Sequence, residues 1–291
     1  MPLATTISGQ QRVNRFNDIS GTTPNLFFTT PISQISPVVQ TYTTAGSNAV
    51  VVPYNTQFQR NPRYVQAQVV GGGGGGSGGA GGRYYTNTVG STTTRYWVSG
   101  GGGGSGAPGA YVNTFIPYDY TIAPTAYVTV GAGGAGGAGG PAGVLAPSGA
   151  GSNGQESNFF IDETKMCVAT GGGGGTIAGN PRNDNQGRAG QQGAYASNGR
   201  IISDSSTFRN GNTGINGAYR SSTVPINPEV NYPGGNGGQP VAGALINGSN
   251  WGNGNAGGKG GNSGTSIFIS QNGATGADGD SGIVILTWYY Q

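Results

Sequence analysis

The distribution of glycine is the feature that most constrains what this chain can fold into. The 291 residues include 62 glycines, most of them in tracts, several of which begin directly after an apolar run. These tracts cover residues 71–82, 100–109, 131–143, 171–175 and 187–264. Glycine loses more backbone entropy on folding than any other residue, so the same composition is also typical of flexible linkers. The abrupt start of the tracts at the ends of apolar runs instead favours a folded β framework that carries them.

The apolar runs between the tracts predict the strands of that framework. In Tyr64–Val70, the residues Val65, Ala67 and Val69 alternate with glutamines, which indicates a strand with one buried face. Residues 283–290 form a continuous apolar run, and we expect it to pair with Tyr64–Val70. That pairing would return both ends of the glycine-rich region to one sheet. Further apolar runs lie at Ala126–Val130, 159–161, 166–169 and 267–269.

Helix signals are absent, because no long window has apolar residues at the i, i+3, i+4 and i+7 spacing of an amphipathic helix. The sequence therefore predicts an all-β fold with almost no α-helix. We expect a small β-sandwich, or a single sheet, as a base that carries the inserted glycine-rich tracts.

A three-residue period within the tracts predicts how they pack. Glycine recurs at every third residue from Gly131 to Gly143 and again from Gly273 to Gly282. Three residues per turn is the period of the polyproline-II helix. Without side chains, neighbouring backbones can approach closely and satisfy their N–H and C=O groups between helices. We therefore expect polyglycine-II-like helices packed side by side, with long loops as the alternative.

The chain divides into two regions by composition. Residues 1–40 are polar and poor in glycine, and Pro2, Pro24, Pro31 and Pro37 punctuate them. This pattern indicates an extended N-terminal arm that lies on another surface. Residues 41–291 form the glycine-rich β domain. The chain shows no signal peptide and no apolar run of membrane-spanning length, so we expect neither export nor membrane insertion.

The inventory of reactive side chains argues against catalysis. The sequence contains no histidine, which excludes Ser-His-Asp and Cys-His chemistry and removes the commonest metal ligand. Cys167 lies in an apolar run and is expected to be a buried structural thiol. Asp278-Gly279-Asp280 is interpreted as a turn before the last strand instead of a calcium loop. We expect no enzyme activity, no cofactor and no metal.

Charge excludes nucleic acid as the main partner. Thirteen lysines and arginines stand against ten acidic residues, and the basic residues form no run. Binding to phosphates requires a basic patch or stripe.

Large aromatic residues set among small ones are the candidate surface contacts. Aromatic side chains on a rigid scaffold are suited to contacts with carbohydrate or protein. The alternative is that they cap or flank the glycine bundle. The candidates are Tyr84, Tyr85, Tyr96, Trp97, Tyr111, Tyr195, Tyr219, Tyr232 and Trp251.

Four segments, each of which joins an apolar run to glycines, resemble the glycine-rich domains of phage tail-fibre and related virion proteins. In the first, Tyr64–Val70 runs into the glycines that follow, and the others have the same character. The four segments are 64–76, 126–134, 169–175 and 276–285.

The resemblance implies a virion protein, made in the host cytoplasm, with an architectural or host-contact role and no catalysis. One hypothesis is a minor capsid, capsid-decorating or tail-associated component that contacts other virion proteins through residues 1–40 and is oligomeric in the particle. The alternative is an adhesin at a tail-fibre tip that recognises a host surface glycan or protein. A third alternative, an ice- or surface-binding module, would require a regular threonine array. Clusters such as Thr92-Thr93-Thr94 are too short to provide one.

Overall fold

The structure is a computed structural model, and it describes most of the glycine-rich domain and part of the N-terminal region. The described residues are 4–7, 11–15, 27–28, 35–119, 125–144, 147–161, 164–178, 205–207, 219–222, 232–263 and 270–290.

Every regular element in this part of the chain is a β-strand, and none is a helix that could cross a membrane. This confirms the predicted all-β fold. The strands are β1 (Ala4–Ile7), β2 (Gln11–Arg15), β3 (Phe27–Phe28), β4 (Val38–Tyr42), β5 (Gly46–Val50), β6 (Tyr64–Val70), β7 (Arg83–Val89), β8 (Thr92–Val98), β9 (Tyr111–Pro117), β10 (Ala126–Val130), β11 (Ser157–Ile161), β12 (Thr164–Ala169), β13 (Ser205–Thr207), β14 (Tyr219–Ser222), β15 (Ala244–Ile246), β16 (Ser249–Trp251) and β17 (Ile283–Tyr289).

Two antiparallel sheets form a sandwich at the base of the glycine tracts. One sheet has the strand order β13-β9-β6-β17-β4 and the other β12-β11-β10-β5. The predicted pairing of the last apolar run with β6 is confirmed, with Ile283 opposite Val70 and Tyr289 opposite Tyr64. The alternation in β6 therefore faces Val65, Ala67 and Val69 into the core, as their full burial shows.

The sandwich core is compact and centred on a tryptophan. Trp288 is fully buried, and its ring meets Tyr118 and Phe159 edge-on at centroid distances of 5.2 and 6.3 Å. Its Nε1 donates a hydrogen bond to Gln40 Oε1 at 2.9 Å, so β4 is tied to the core by a side chain as well as by the ladder. Burial of each large apolar side chain contributes about 1.5–3 kcal/mol, so this small core carries much of the sandwich's stability.

Cys167 lies in this core and should be chemically inert while the protein is folded. Burial raises the pKa of its thiol from 9.0 to about 12, so the reactive thiolate is scarce at pH 8. We expect N-ethylmaleimide at pH 8 to leave the folded chain unmodified and to label it fully in denaturant. Because the folded thiol has the higher pKa, its stabilising effect is present below pH 9 and is lost as the pH rises toward 12. Rapid labelling of the native chain would contradict the buried position.

In the described residues, eight tracts of glycine-rich chain lie side by side. We number them by sequence: tract 1 (71–82), tract 2 (100–110), tract 3 (131–143), tract 4 (148–156), tract 5 (170–178), tract 6 (232–241), tract 7 (252–263) and tract 8 (270–282).

Tract 1 is the centre of the bundle and donates hydrogen bonds to three neighbours in strict rotation. Gly74, Gly75 and Gly76 donate in turn to carbonyls of tracts 2, 4 and 8, at 2.8, 3.0 and 2.9 Å. Ser77 then returns to tract 2. This rotation every three residues is what a helix of three residues per turn produces. The side-by-side hydrogen bonding is thus observed, while the polyglycine-II form of the individual tracts stays a prediction.

Tract 1 also accepts hydrogen bonds from three further neighbours. Tracts 3, 5 and 7 donate to its carbonyl groups, as in the bonds from Gly134, Gly175 and Gly258, all at 2.8 Å. The six neighbours are bonded to one another in the ring order 2, 7, 8, 3, 4, 5. Tract 6 lies outside the ring, bonded to tracts 2 and 7. Tracts 3, 5 and 7 run parallel to tract 1, and tracts 2, 4 and 8 run antiparallel to it.

Close packing explains why the central tract is almost pure glycine. A Cβ atom added to Gly74 or Gly75 would lie closer than 3.0 Å to backbone atoms of tract 5 or tract 3, a separation that real Cβ atoms essentially never show. The two exceptions in tract 1, Ser77 and Ala80, are both fully buried. The Ser77 hydroxyl accepts a hydrogen bond from Gly104 N at 2.9 Å, so its polar atom is satisfied inside the bundle.

The predicted turn at Asp278-Gly279-Asp280 is wrong, because these residues continue tract 8, and the Asp278 carboxylate accepts a hydrogen bond from tract 3.

The predicted arm, residues 1–40, contains the small antiparallel sheet β1-β2-β3, and its last residues belong to β4. The division of the chain at residue 40 stays a prediction, and the apolar run 267–269 lies outside the described residues.

Candidate binding surface

The hairpin β7–β8 lies at the end of the bundle opposite the sandwich. Tract 1 leaves the sandwich from β6 and enters β7, and tract 2 returns from β8 to β9. Their antiparallel register, with Gly71 bonded to Ala110 and Ala80 bonded to Gly101, places the hairpin at the far end. At the rise of about 3.1 Å per residue that the predicted polyglycine-II form would give, a tract of this length would separate the hairpin from the sandwich by roughly 35 Å. We call this end of the bundle the distal end.

A two-residue loop closes the hairpin. Gly90 and Ser91 connect Val89 to Thr92, and Gly90 has φ of +62°. A positive φ at the first loop position is the requirement of a type II′ turn, which glycine meets without strain. The outer half of the hairpin projects into solvent, and Val89 is 74% exposed.

One face of the hairpin carries a stacked aromatic pair. Tyr85 and Tyr96 are directly opposite each other, and their rings stack with a centroid distance of 4.7 Å and an interplanar angle of 14°. The Arg83 guanidinium lies over the Tyr85 ring, 4.6 Å from its centroid. Tyr85 and Tyr96 are half-buried, so the pair keeps an accessible surface. Such a face offers stacking, cation–π contact and hydrogen bonds from the hydroxyl groups.

The other face of the hairpin is packed against the bundle. Trp97 is 1% exposed and its ring contacts Tyr84 at 5.6 Å and Tyr232 at 6.3 Å. The backbone carbonyl of Tyr232 accepts a hydrogen bond from Ser99 Oγ at 2.8 Å, which joins tract 6 to the base of the hairpin. The Nε1 of Trp97 is buried without a hydrogen-bond partner in the part of the chain that the structure describes. These contacts anchor the hairpin and fix the direction in which the stacked pair faces.

Five of the predicted contact residues therefore meet at the distal end, namely Tyr84, Tyr85, Tyr96, Trp97 and Tyr232. Two other candidates lie elsewhere. Tyr111 and Trp251 pack at the junction of sandwich and bundle, against a cluster that contains Val70, Ile283 and Ile285. The Tyr111 hydroxyl accepts a hydrogen bond from Gln68 Nε2 at 2.9 Å.

For the remaining two candidates, the described part of the structure does not include the side chain. Tyr219 belongs to β14, where its backbone pairs with Val98 of β8, and Tyr195 lies outside the described residues. For all nine residues, a role in binding stays a prediction.

The hairpin that organises this surface was not predicted from the sequence. The signal was present, because two strand-like runs of seven residues are separated by Gly90-Ser91, a dipeptide typical of tight hairpins. Arg83 was likewise not predicted as a partner of Tyr85, although residues 83 and 85 are two apart and therefore lie on the same face of a strand. The contact at 4.6 Å shows that the long arginine side chain reaches along the strand.

The opposite pole of the molecule exposes apolar side chains on the sandwich. Phe115 is 53% exposed, and its ring lies 6.0 Å from that of Tyr289. Tyr64 on β6 and Val39 on β4, the two strands that flank β17 in the same sheet, are 45% and 58% exposed. A cavity of about 410 Å³ lies nearby, lined by residues that include Arg63 and Tyr64.

Among the described residues, no group of three or more metal-ligating side chains comes together. What the distal end does provide is an aromatic and polar surface held on a scaffold that is hydrogen-bonded on every side of its central tract.

An all-β sandwich that carries a glycine bundle places this chain among glycine-rich β proteins. A comparison with family models identifies the family. Residues 48–289 match the model of the glycine-rich domain family, so the chain belongs to that family. No curated protein matches the chain.

Proposed function

We propose that this chain is a non-enzymatic structural protein of a virus particle that acts as a host-recognition module at the end of a tail fibre. The observation that carries the proposal is the position of the Tyr85–Tyr96 stack, which a bundle of fixed length holds at the pole opposite the sandwich. A rigid scaffold with loops at one end is the usual arrangement for recognition, because ordering the loops in advance lowers the entropy cost of binding. The resemblance to virion proteins supports the location.

Attachment to the particle would use the other pole. The exposed Val39, Tyr64 and Phe115 provide apolar area, and residues 1–40 enter the sandwich there through β4. Exposed apolar patches commonly mark protein interfaces. In this proposal the partners are other virion proteins at the sandwich pole and a host surface glycan or protein at the distal end.

A capsid-decorating or minor capsid role is the second candidate. The same exposed residues at the sandwich pole favour it, since they would serve equally for a contact with a capsid subunit. The two candidates differ at the distal end, which has a binding role only in the first. The chain would be made in the host cytoplasm and assembled into the virion in both.

The double variant Tyr85→Ala/Tyr96→Ala should lose binding to host cells while keeping the fold. We expect fluorescently labelled full-length chain to adsorb to at least one strain in a panel of bacteria. Removal of two central aromatic contacts at a cost of about 2 kcal/mol or more lowers affinity about thirtyfold. The measurement is cell-bound fluorescence against protein concentration.

The matched control is Tyr54→Ala, which removes a tyrosine that is 53% exposed and lies outside the distal hairpin. It should bind like the unmodified chain. Adsorption to no strain, or equal adsorption of both variants, would refute a recognition role for the stack and favour the capsid candidate.

A further inference from the structure

Three tracts of the ring carry N–H groups that point away from the bundle centre. Tracts 3, 5 and 7 each use every third N–H group to bond tract 1, and other N–H groups bond a tract outside the ring or a side chain of a neighbouring tract. In a lattice of parallel and antiparallel tracts, such a row of donors is a place where another tract can be added. It is the counterpart of the open edge of a β-sheet.

Tract 6 shows what happens when such a row is filled by glycine chain. Gly257 and Gly260 of tract 7 donate to carbonyl groups of tract 6, at 3.0 and 2.8 Å. Tract 6 in turn donates to tract 2, with Gly235 N bonded to Gly100 O at 2.9 Å. At this place the lattice therefore extends beyond the six neighbours of tract 1.

In tracts 3 and 5, N–H groups of the outward rows are bonded by side chains instead. Gly136 and Ala142 of tract 3 donate to the side-chain oxygens of Asp278 and Asn272, both at 2.7 Å. Gly174 of tract 5 donates to Asn153 Oδ1 at 2.8 Å.

Side-chain oxygens also accept hydrogen bonds from N–H groups on the outer side of tract 6. Gly234 N donates to Asn262 Oδ1 at 2.9 Å, and Gly243 N, just beyond the tract, donates to Asn253 Oδ1 at 2.8 Å. All five side chains are therefore amide or carboxylate oxygens that accept from an outward backbone N–H.

The spacing of these side chains follows the lattice. Asn272 and Asp278 are six residues apart in tract 8, and Asn253 and Asn262 are nine apart in tract 7. Both intervals are multiples of three, so each pair lies on one side of its tract. Each side chain reaches across to the neighbouring tract, where its oxygen accepts a hydrogen bond from a backbone N–H group. A further tract could bind only if that N–H group were free to donate to it.

We infer that these asparagine and aspartate side chains are lateral caps, which end the glycine lattice and prevent a second copy of this chain from adding its own tracts. An N–H group at the surface can bond water, so each cap contributes little to the stability of the single molecule. Its effect is on association. A row of N–H groups without side-chain acceptors could bond the carbonyl groups of another glycine tract. A second copy of this chain carries such tracts.

The test compares Asn272→Ala/Asp278→Ala with the exchange variant Asn272→Asp/Asp278→Asn. The alanine variant removes the two side-chain acceptors from the tract 3 row, whereas the exchange variant keeps both acceptor oxygens and leaves the net charge unchanged. Sedimentation velocity of the full chain over a hundredfold range of concentration should show new, concentration-dependent larger species for the alanine variant alone. The exchange variant should sediment like the unmodified chain.

Asn153→Ala, in a different groove, repeats the test independently and should also associate. Thermal melting followed by tryptophan fluorescence checks that each variant is folded. Unchanged sedimentation of a folded alanine variant would overturn the inference, and so would association of the exchange variant. Unfolding of both alanine variants would overturn it as well, because the side chains would then be structural. None of these results depends on binding to host cells, so the outcome is separate from the proposed function.

Discussion

Gly75→Ala should lower the free energy of unfolding by about 3 kcal/mol or more, an unusually large effect for one added methyl group. Gly75 is fully buried in the central tract, and its Cβ would lie too close to the carbonyl of Ala135. The obstacle is backbone, which cannot rotate away as a side chain can. Separation of tracts 1 and 3 would weaken their hydrogen bonds, each worth about 1 kcal/mol. Denaturant unfolding followed by tryptophan fluorescence measures the effect.

Ala135→Ser is the matched control. Ala135 lies on tract 3, at the contact that the Gly75 variant disturbs, but its own side chain is exposed to solvent. The change should alter stability by less than about 0.5 kcal/mol. If Gly75→Ala were equally mild, tract 1 would have room around it, and the close hydrogen-bonded packing of the bundle would be wrong.

The framework of the fold could be predicted because it follows from local patterns. Alternation in Tyr64–Val70 indicates a half-buried strand, and the continuous apolar run at the end of the chain indicates a buried one. Their pairing was predictable from the need to close the glycine-rich region on one base. A two-residue loop also encodes the hairpin β15–β16, where Asn247 and Gly248 both have positive φ as an Asn-Gly turn requires.

The neighbours of each tract could not be predicted, because glycine carries no information about its partners. Tract 4 shows the difficulty, since glycines at 149, 151 and 154 among polar residues do not form a recognisable run. The capping side chains were equally hidden. What marks Asn153 and Asn272 is the backbone N–H of the neighbouring tract from which each accepts a hydrogen bond, and the sequence does not show which tract stands opposite.

The glycine bundle separates the part of the molecule that keeps its shape from the part that can contact a partner. Its hydrogen bonds are made by the backbone, so the scaffold depends little on side chains at the distal end. Substitutions in the hairpin loop around Gly90 and Ser91 therefore leave the tract contacts intact. A recognition module built in this way could change its contact residues without repacking a core, which fits the proposed host-recognition role.

Insertion of one glycine between Gly75 and Gly76 should prevent the bundle from forming. The inserted residue cannot bulge, because six tracts surround it, so the rest of tract 1 must shift by one position. Hydrogen bonds could re-form after the shift, because the backbone is uniform. The side chains could not follow, since Ser77 would occupy the place of Gly78, where a Cβ overlaps the carbonyl of tract 3. The cost is on the order of the whole stability of a domain, 5–15 kcal/mol.

The same glycine inserted between Gly90 and Ser91 is the first comparison, and it should cost about 1 kcal/mol or less, since a short loop lengthens cheaply. The second comparison combines the tract insertion with Ser77→Gly and Ala80→Gly. A tract of glycine alone can slip by one residue and release the extra residue next to Arg83, so circular dichroism and thermal melting should show recovery of the fold. Failure of this triple variant to recover would mean that Ser77 and Ala80 do not set the register. An insertion in tract 1 as harmless as the one in the hairpin would rule out a hydrogen-bonded lattice with a three-residue period.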